Sequence, residues 1–386
     1  MAKNLLLVCL DGARADMIAD TKELSHLFKK GTLFDQCIVS SPYTVASIHS
    51  IMTGMYGHKN GVDAYNNMFK LKKNLKTLPE YLNENNYFTH ADMLGEAVLS
   101  NRGFDEWTIH DENSLTSNEL LNYHKEIVSK ANAKSQNFFV FFQYSKIHTG
   151  CVANVAKKFD DLDEQYYTAL QVQKNRENFS SYMKDAGIYA SGLVEHLTNL
   201  NILDDTLVVF FSDHGTSLGE KFGEKMYGSF VYDYTIKTFF HFLNYRFPNL
   251  KIREQIRCID IMPTILELLG IEANSQMLDF QGESLMPLIA YHKKNRLQKY
   301  FIKEPKDRIA YVETGGLGGP WPSPKKPNVF CVRTKKWKLI HNLTPDNWEL
   351  YNLVDDPSEK INLVKQYPEV KDKLIKHIKI IEYNYK

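Results

Sequence analysis

The sequence predicts an α/β fold: a mainly parallel sheet with helices on both faces, followed by a small α+β unit at the C-terminal end. Three observations lead there. Asn4–Leu10 (NLLLVCL), Phe138–Tyr144 (FFVFFQY) and Thr206–Phe211 (TLVVFF) are continuous apolar runs of strand length, the pattern of strands buried on both faces. Helical patterns lie between them, as the crossovers of a parallel sheet require. From about Tyr300 the texture changes to shorter strand-like segments and a stretch rich in Gly and Pro, Gly315–Pro327. The change divides the chain into units 1–299 and 300–386.

The first strand, Asn4–Leu10, stops at Asp11-Gly12, which places an acid at its C-terminal edge with Arg14 close behind. In open α/β sheets that edge is where sites are built. Val45 to Met52 has apolar residues at helical spacing, Thr44 stands before it as N-cap, and Gly54 ends it. Thr77 and Pro79 open a helix over Leu78–Asn85, and a strand follows at Tyr87–Met93. Asn118–Lys134 reads as an amphipathic helix leading to the second buried strand, with His148 just past that strand's end. Thr149 to about Ser180 is polar and irregular, an expected lid or insertion before a helix at Tyr182–Leu200.

The third buried strand runs into Ser212-Asp213-His214-Gly215. An acid and an imidazole at a strand end, where Gly lets the backbone bend, can both turn toward one metal ion. Lys221, Lys225 and Tyr227 follow in a loop punctuated by Gly. Phe239–Leu243 is strand-like, and Asp260 with Pro263 opens a helix, Ile261–Leu269, that Gly270 closes. In the second unit, strands are expected at Asn328–Arg333 and Trp337–His341, with a closing helix at Pro368–Ile381.

Composition bounds the function. The chain of 386 residues is 43% hydrophobic and 24% charged, with 47 basic against 46 acidic residues and a net charge of +1. That balance argues against a nucleic-acid partner, while leaving room for a small anionic substrate held by local positive charge. Five dispersed cysteines without a CxxC pair suit a reducing compartment, and no stretch is long and apolar enough to span a membrane, so a cytoplasmic location is expected. Monomer and homo-oligomer both stay open.

Taken together, Asp11, Thr44, Asp213 and His214 are a set of oxygen and nitrogen donors suited to one divalent ion, with zinc, manganese, magnesium and calcium not distinguished. Such an ion would hold Thr44 as an alkoxide and polarise an ester oxygen. Leu10–Arg14 (LDGAR), Ser50–Gly61 (SIMTGMYGHKNG), Ser212–Gly215 (SDHG), Asp260–Ile271, Val332–Leu339 and Glu349–Leu363 together resemble the motifs of the sulfatase-like members of the alkaline phosphatase superfamily. The likeness runs nearly end to end and implies an alkaline-phosphatase-like fold.

The resemblance also implies roles. It makes His148 the contact to the ester or leaving group, puts Lys221 and Lys225 near the basic substrate-binding position, and sets Tyr227 where a histidine is common. His58 matches a histidine of the loop after the nucleophile helix. Two departures qualify it. Thr44 stands at the position of the Cys or Ser that sulfatases convert to formylglycine, without the motif's Pro and Arg, and Gly12 replaces one carboxylate of the usual Asp-Asp pair. The remaining set is similar to the single-metal site of phosphoethanolamine and phosphoglycerol transferases. The Asp-Gly start and the Thr also resemble nucleotide pyrophosphatase/phosphodiesterases, although no further Asp and His ligands match, and Tyr144 stands where an acid would precede His148.

The sequence reading is therefore a metal-dependent hydrolase or transferase of phosphoesters, phosphodiesters foremost, acting through a covalent Thr44 intermediate. A sulfatase that works without formylglycine is the alternative, and a non-catalytic binding protein on the same fold is a second. The substrate is expected to be a small anionic ester on a glycan or lipid head group.

Overall fold

The computed structural model describes residues 2–63, 71–155, 164–244, 247–272, 280–300, 304–315 and 326–383. Its larger sheet contains β1 (Asn4–Leu10), β2 (Thr32–Ile38), β3 (Phe88–Met93), β4 (Glu106–Ile109), β5 (Phe138–Tyr144), β6 (Thr206–Phe211), β7 (Lys237–Leu243), β8 (Leu250–Ile252) and β9 (Ile256–Arg257), in the order β4-β3-β5-β1-β6-β7-β2-β8, with β9 beside β2. The run from β4 to β6 is parallel throughout, and β7 is antiparallel to both its neighbours. The smaller sheet is antiparallel, β10 (Ala310–Thr314), β11 (Val329–Arg333), β12 (Trp337–Leu343) and β13 (Asp346–Asn352).

β1 shows why a continuous apolar run is needed at the centre of such a sheet. Its side chains alternate between faces, so Leu5, Leu7 and Cys9 join the core under one face while Leu6, Val8 and Leu10 join the core under the other. β1 sits between β5 and β6, and Cys9 is level with both Gln143 and Phe211. That register brings the ends of the three central strands to one edge. All five cysteines are buried as free thiols.

The smaller sheet is two-faced as well. Phe330, Val332, Leu339 and Leu350 pack on Leu374 and Ile378 of the helix Pro368–Tyr383, while Cys331, Ile340 and Tyr351 join the core of the larger sheet. A buried ion quartet ties the two together. Arg333 donates from Nε (2.9 Å) and Nη2 (2.7 Å) to Asp233, and Lys338 donates to Asp233 (2.9 Å) and to Glu359 (2.7 Å). Two acids thus balance two bases.

Several expectations change. Thr44 is not an N-cap: the helix runs Thr44–Thr53 with Tyr43 as its cap residue, and Thr44 is its first residue. The polar stretch after Thr149 is largely helical, because the Lys146–Val155 helix extends past His148 and a 31-residue helix, Ala169–Asn199, starts well before Tyr182. Polar residues there mark exposed helix faces; residues 156–163 and most of Gly315–Pro327 lie outside the described residues. Asp260 precedes the helix Ile261–Leu269 but makes no capping bond to it with its side chain. Its carboxylate accepts from Arg257 (2.7 Å) and from the Glu283 amide (2.9 Å), a structural role.

Candidate active site

Each of the three central strands delivers at least one polar side chain to the shared edge. Asp11 follows β1, Gln143 is the penultimate residue of β5, and Asp213-His214 follow β6. Asp11, Asp213 and His214 are all essentially fully buried. Gln143 donates from Nε2 to Asp11 Oδ2 at 2.7 Å, and the Gly12 amide donates to Asp213 Oδ1 at 3.3 Å. The other oxygen of each acid, Asp11 Oδ1 and Asp213 Oδ2, is buried and has no hydrogen-bond partner.

Those two oxygens point to the same imidazole nitrogen. His214 Nε2 lies 3.5 Å from Asp11 Oδ1 and 3.6 Å from Asp213 Oδ2. The ring's other nitrogen, Nδ1, donates to the Gly215 carbonyl at 2.8 Å, which leaves Nε2 as a lone pair aimed into the group. The Thr44 hydroxyl completes it, 3.2 Å from His214 Nε2. Two carboxylate oxygens, an imidazole lone pair and a hydroxyl with no internal cation among them make a donor set that fits a divalent ion. Burial, with Asp213 beside it, pushes Asp11 up to about 6.

Glycine at position 12 is required by the turn that forms this edge. Its φ is +74°, and a Cβ there would meet Thr216 Oγ1 at 3.0 Å. An acid at that position would need both a strained backbone and the space of Thr216, so the one-carboxylate departure is built into the turn. Arg14 then fastens the turn to the segment after β6. It donates to the Thr216 carbonyl (3.1 Å) and pairs with Glu220 and Asp16.

His148 stands in the first turn of its helix with Nε2 2.6 Å from Tyr227 Oη and Nδ1 3.6 Å from Glu112 Oε2. The Tyr227 ring also lies against His214, centroids 4.1 Å apart. Burial works against a charge on His148, but Glu112 and Asp11 outweigh it and raise its pKa above the ordinary imidazole value. Nε2 of His148 and the Tyr227 hydroxyl thus stand together at the edge of the donor set.

Three other sequence candidates are placed elsewhere. Lys221 donates to the Glu359 carbonyl and sits over the Tyr232 ring at 4.4 Å, facing the smaller sheet rather than Asp11 and Asp213. Lys225 lies over the Tyr166 ring at 5.0 Å. His58 stacks on Tyr56 and meets Gln281, and burial with the nearby lysines pulls its pKa down to about 4. These contacts fasten loops, and they give the alkyl stem or ring a packing partner that sequence motifs do not reveal. Conversely, Gln143 and Glu112 were not singled out from the sequence. Gln143 left a signal, a polar residue inside an apolar run; Glu112 left none.

Comparison with known proteins settles the family. The sulfatase family model matches residues 3–271, and the model of the N-sulphoglucosamine sulphohydrolase C-terminal region matches residues 226–384. The chain belongs to the sulfatase family. Among curated sulfatases, an N-acetylglucosamine-6-O-sulfatase of Bacteroides thetaiotaomicron is 22% identical over 96% of this chain and 83% of its own length. Arylsulfatase K of Rattus norvegicus is 22% identical over 90% of this chain and 71% of its own length. A solved structure bound to its substrate D-glucosamine-2-N,6-O-disulfate superposes with a TM-score of 0.75 at 18% identity, over 100% of this chain and 98% of that one. The phosphonate monoester hydrolase of Agrobacterium radiobacter superposes with a TM-score of 0.77 at 13% identity, over 100% and 96%. The fold is therefore that of sulfatases and their alkaline-phosphatase-like relatives, and the chain is a sulfatase-family hydrolase.

Proposed function

We propose that this sulfatase-family chain hydrolyses a sulfate ester carried on a sugar, with Thr44 as its nucleophile. The observation that carries the reading is the meeting of the Thr44 hydroxyl with Asp11, Asp213 and His214, 3.2 Å from His214 Nε2. Family membership supports the sulfate, and the disulfated glucosamine bound to one structural neighbour supports the sugar. This reverses the order set from the sequence, where phosphoesters stood ahead of sulfate.

When bound by Asp11, Thr44, Asp213 and His214, a divalent ion would supply positive charge that favours the Thr44 alkoxide and the anionic ester oxygens. Thr44 gives its hydroxyl proton to bulk water and Oγ1 forms a bond to sulfur. The sulfur–oxygen bond to the sugar breaks as His148 delivers the Nε2 proton to the leaving oxygen. Water then attacks the sulfo-threonine at sulfur as the sulfur–Oγ1 bond breaks; one of its protons returns to His148, the other goes to Thr44 Oγ1, and sulfate leaves with the hydroxyl restored. Tyr227, 2.6 Å from His148 Nε2, orients the ring for both transfers.

A second reading rests on Thr44 itself. A threonine has no second hydroxyl with which to expel sulfate as a formylglycine hydrate does, whereas a phospho-threonine is open to in-line attack by water or by another acceptor. The test is kcat/KM for p-nitrophenyl sulfate, a sulfated glucosamine and bis-p-nitrophenyl phosphate, with metal-loaded wild type and Thr44→Ala. Thr44-dependent sulfate turnover ahead of phosphate is the expected result. Phosphodiester turnover ahead of sulfate overturns it in favour of the second reading, and no turnover of any ester overturns both.

A further inference from the structure

A second group of metal-ligating side chains lies away from Asp11 and Asp213, at the other end of the parallel run. Asp92 is on β3, His110 follows the adjacent edge strand β4, and His124 is on the helix Ser117–Asn132. All three are buried: Asp92 and His124 are 0% exposed and His110 4%. His110 Nδ1 lies 2.5 Å and His124 Nε2 2.9 Å from the same carboxylate oxygen, Asp92 Oδ2. One donor atom from each residue falls within 4.8 Å of the other two.

The surroundings orient each donor. Asp92 Oδ1 accepts from the Thr108 hydroxyl at 2.6 Å, which leaves Oδ2 to the two imidazoles. His124 is fixed through its other nitrogen, Nδ1, 2.5 Å from Tyr189 Oη, and by stacking flat on Phe142 with centroids 3.9 Å apart. Of the two nitrogens of His110, only Nδ1 has a partner. Partners on the far side of a ligating imidazole or carboxylate are what metal sites use to set ring orientation and basicity. Among the described residues no Lys or Arg is a partner of Asp92, whose carboxylate bonds instead to Thr108 and the two imidazoles.

We propose that Asp92, His110 and His124 form a second, structural metal site that takes zinc. Two imidazole nitrogens and one carboxylate oxygen suit zinc better than magnesium or calcium, which prefer oxygen alone. The site joins strands β3 and β4 to the helix Ser117–Asn132, so its ion acts on stability. It is independent of the reaction assigned to Thr44.

The test uses the full chain carrying Asp11→Ala and Asp213→Ala, which disables the first donor set. This protein is loaded with zinc, desalted on metal-free resin and analysed by mass spectrometry for metal content. One zinc per chain is expected to stay bound, and Asp92→Asn on the same background is expected to lose it. Added zinc should raise Tm in the first protein and leave it unchanged in the second. If the substituted chains do not fold, the unsubstituted chain decides, with two divalent ions per chain expected, at least one of them zinc. Retention of no zinc by the folded first protein, equal retention after Asp92→Asn, or one ion in the unsubstituted chain overturns the proposal and leaves the group as a hydrogen-bonded Asp-His network.

Discussion

The hydroxyl of Tyr227 lies 2.6 Å from His148 Nε2 while the face of the same ring rests against His214. One side chain therefore couples the proposed proton donor to the proposed ion ligand. Tyr227→Phe keeps the ring and removes only the hydroxyl. It is expected to lower kcat on the order of tenfold with little change in bound metal. A loss of metal equal to the loss of rate would make Tyr227 a support for His214 instead.

His148→Ala separates acid catalysis from binding. Esters of poor leaving groups should lose on the order of 10²–10⁴-fold in kcat/KM, and nitrophenyl esters far less. Equal losses across a series of leaving groups would show that His148 only positions the substrate.

Thr44 has a sharper pair of substitutions. Thr44→Ser keeps the hydroxyl at the start of the helix and should retain turnover within about tenfold, whereas Thr44→Ala should lose on the order of 10³-fold or more. Serine and alanine variants of equal activity would remove Thr44 from the chemistry.

A pH effect on stability follows from Glu224. Burial raises its pKa to about 7, although the Phe230 amide (2.7 Å) and the Tyr234 hydroxyl (2.8 Å) both donate to it. Because the folded value lies above the unfolded one, the native state holds this proton more tightly. Stability is then full below pH about 4.5 and falls as pH rises toward about 7. Glu224→Gln should remove that part of the slope, so Tm of the variant gains on wild type between about pH 5 and 8. Parallel Tm curves would show that Glu224 is already ionised.

The ion quartet at the smaller sheet predicts a large effect from a small change. Lys338→Met leaves Glu359 without its side-chain base and Asp233 with Arg333 and, at 3.6 Å, Lys237, in a place where Lys338 is 0% exposed. Loss of about 3–5 kcal/mol is expected from chemical denaturation. A loss under about 1 kcal/mol would mean that water reaches the quartet.

What the sequence revealed depended on how local each signal was. β1, β5 and β6 have the bounds that their apolar runs predict, because burial on both faces leaves few polar positions to blur them. The donor set Asp11, Thr44, Asp213 and His214 was legible as strand-end and helix-start residues. β2 (TLFDQCI) was missed because its buried positions are broken by Asp35 and Gln36, and β13 because its exposed half carries polar residues. Asp92, His110 and His124 were invisible for another reason: they come from three elements, and only the pairing of β3 with β4 and the packing of a helix bring them together. Lys221 shows the opposite case, since a basic residue in a glycine-rich loop does not declare which way its side chain turns.

The central register has a consequence for how the protein opens. Asp11 and Asp213 hang from strands hydrogen-bonded on both edges at the middle of the sheet, whose amides exchange with solvent only when the whole domain unfolds. Tyr227 belongs instead to a loop outside the sheet, held by side-chain contacts such as Arg14 to Glu220 and Asn175 to the Leu218 carbonyl together with one isolated bridge, Ser217 to Met226, and such loops open at lower cost than central strands. The two halves of the site therefore sit on opposite sides of a stability gradient. In the reaction proposed above, opening of that loop would free the leaving-group side while the strand-borne carboxylates keep hold of the ion.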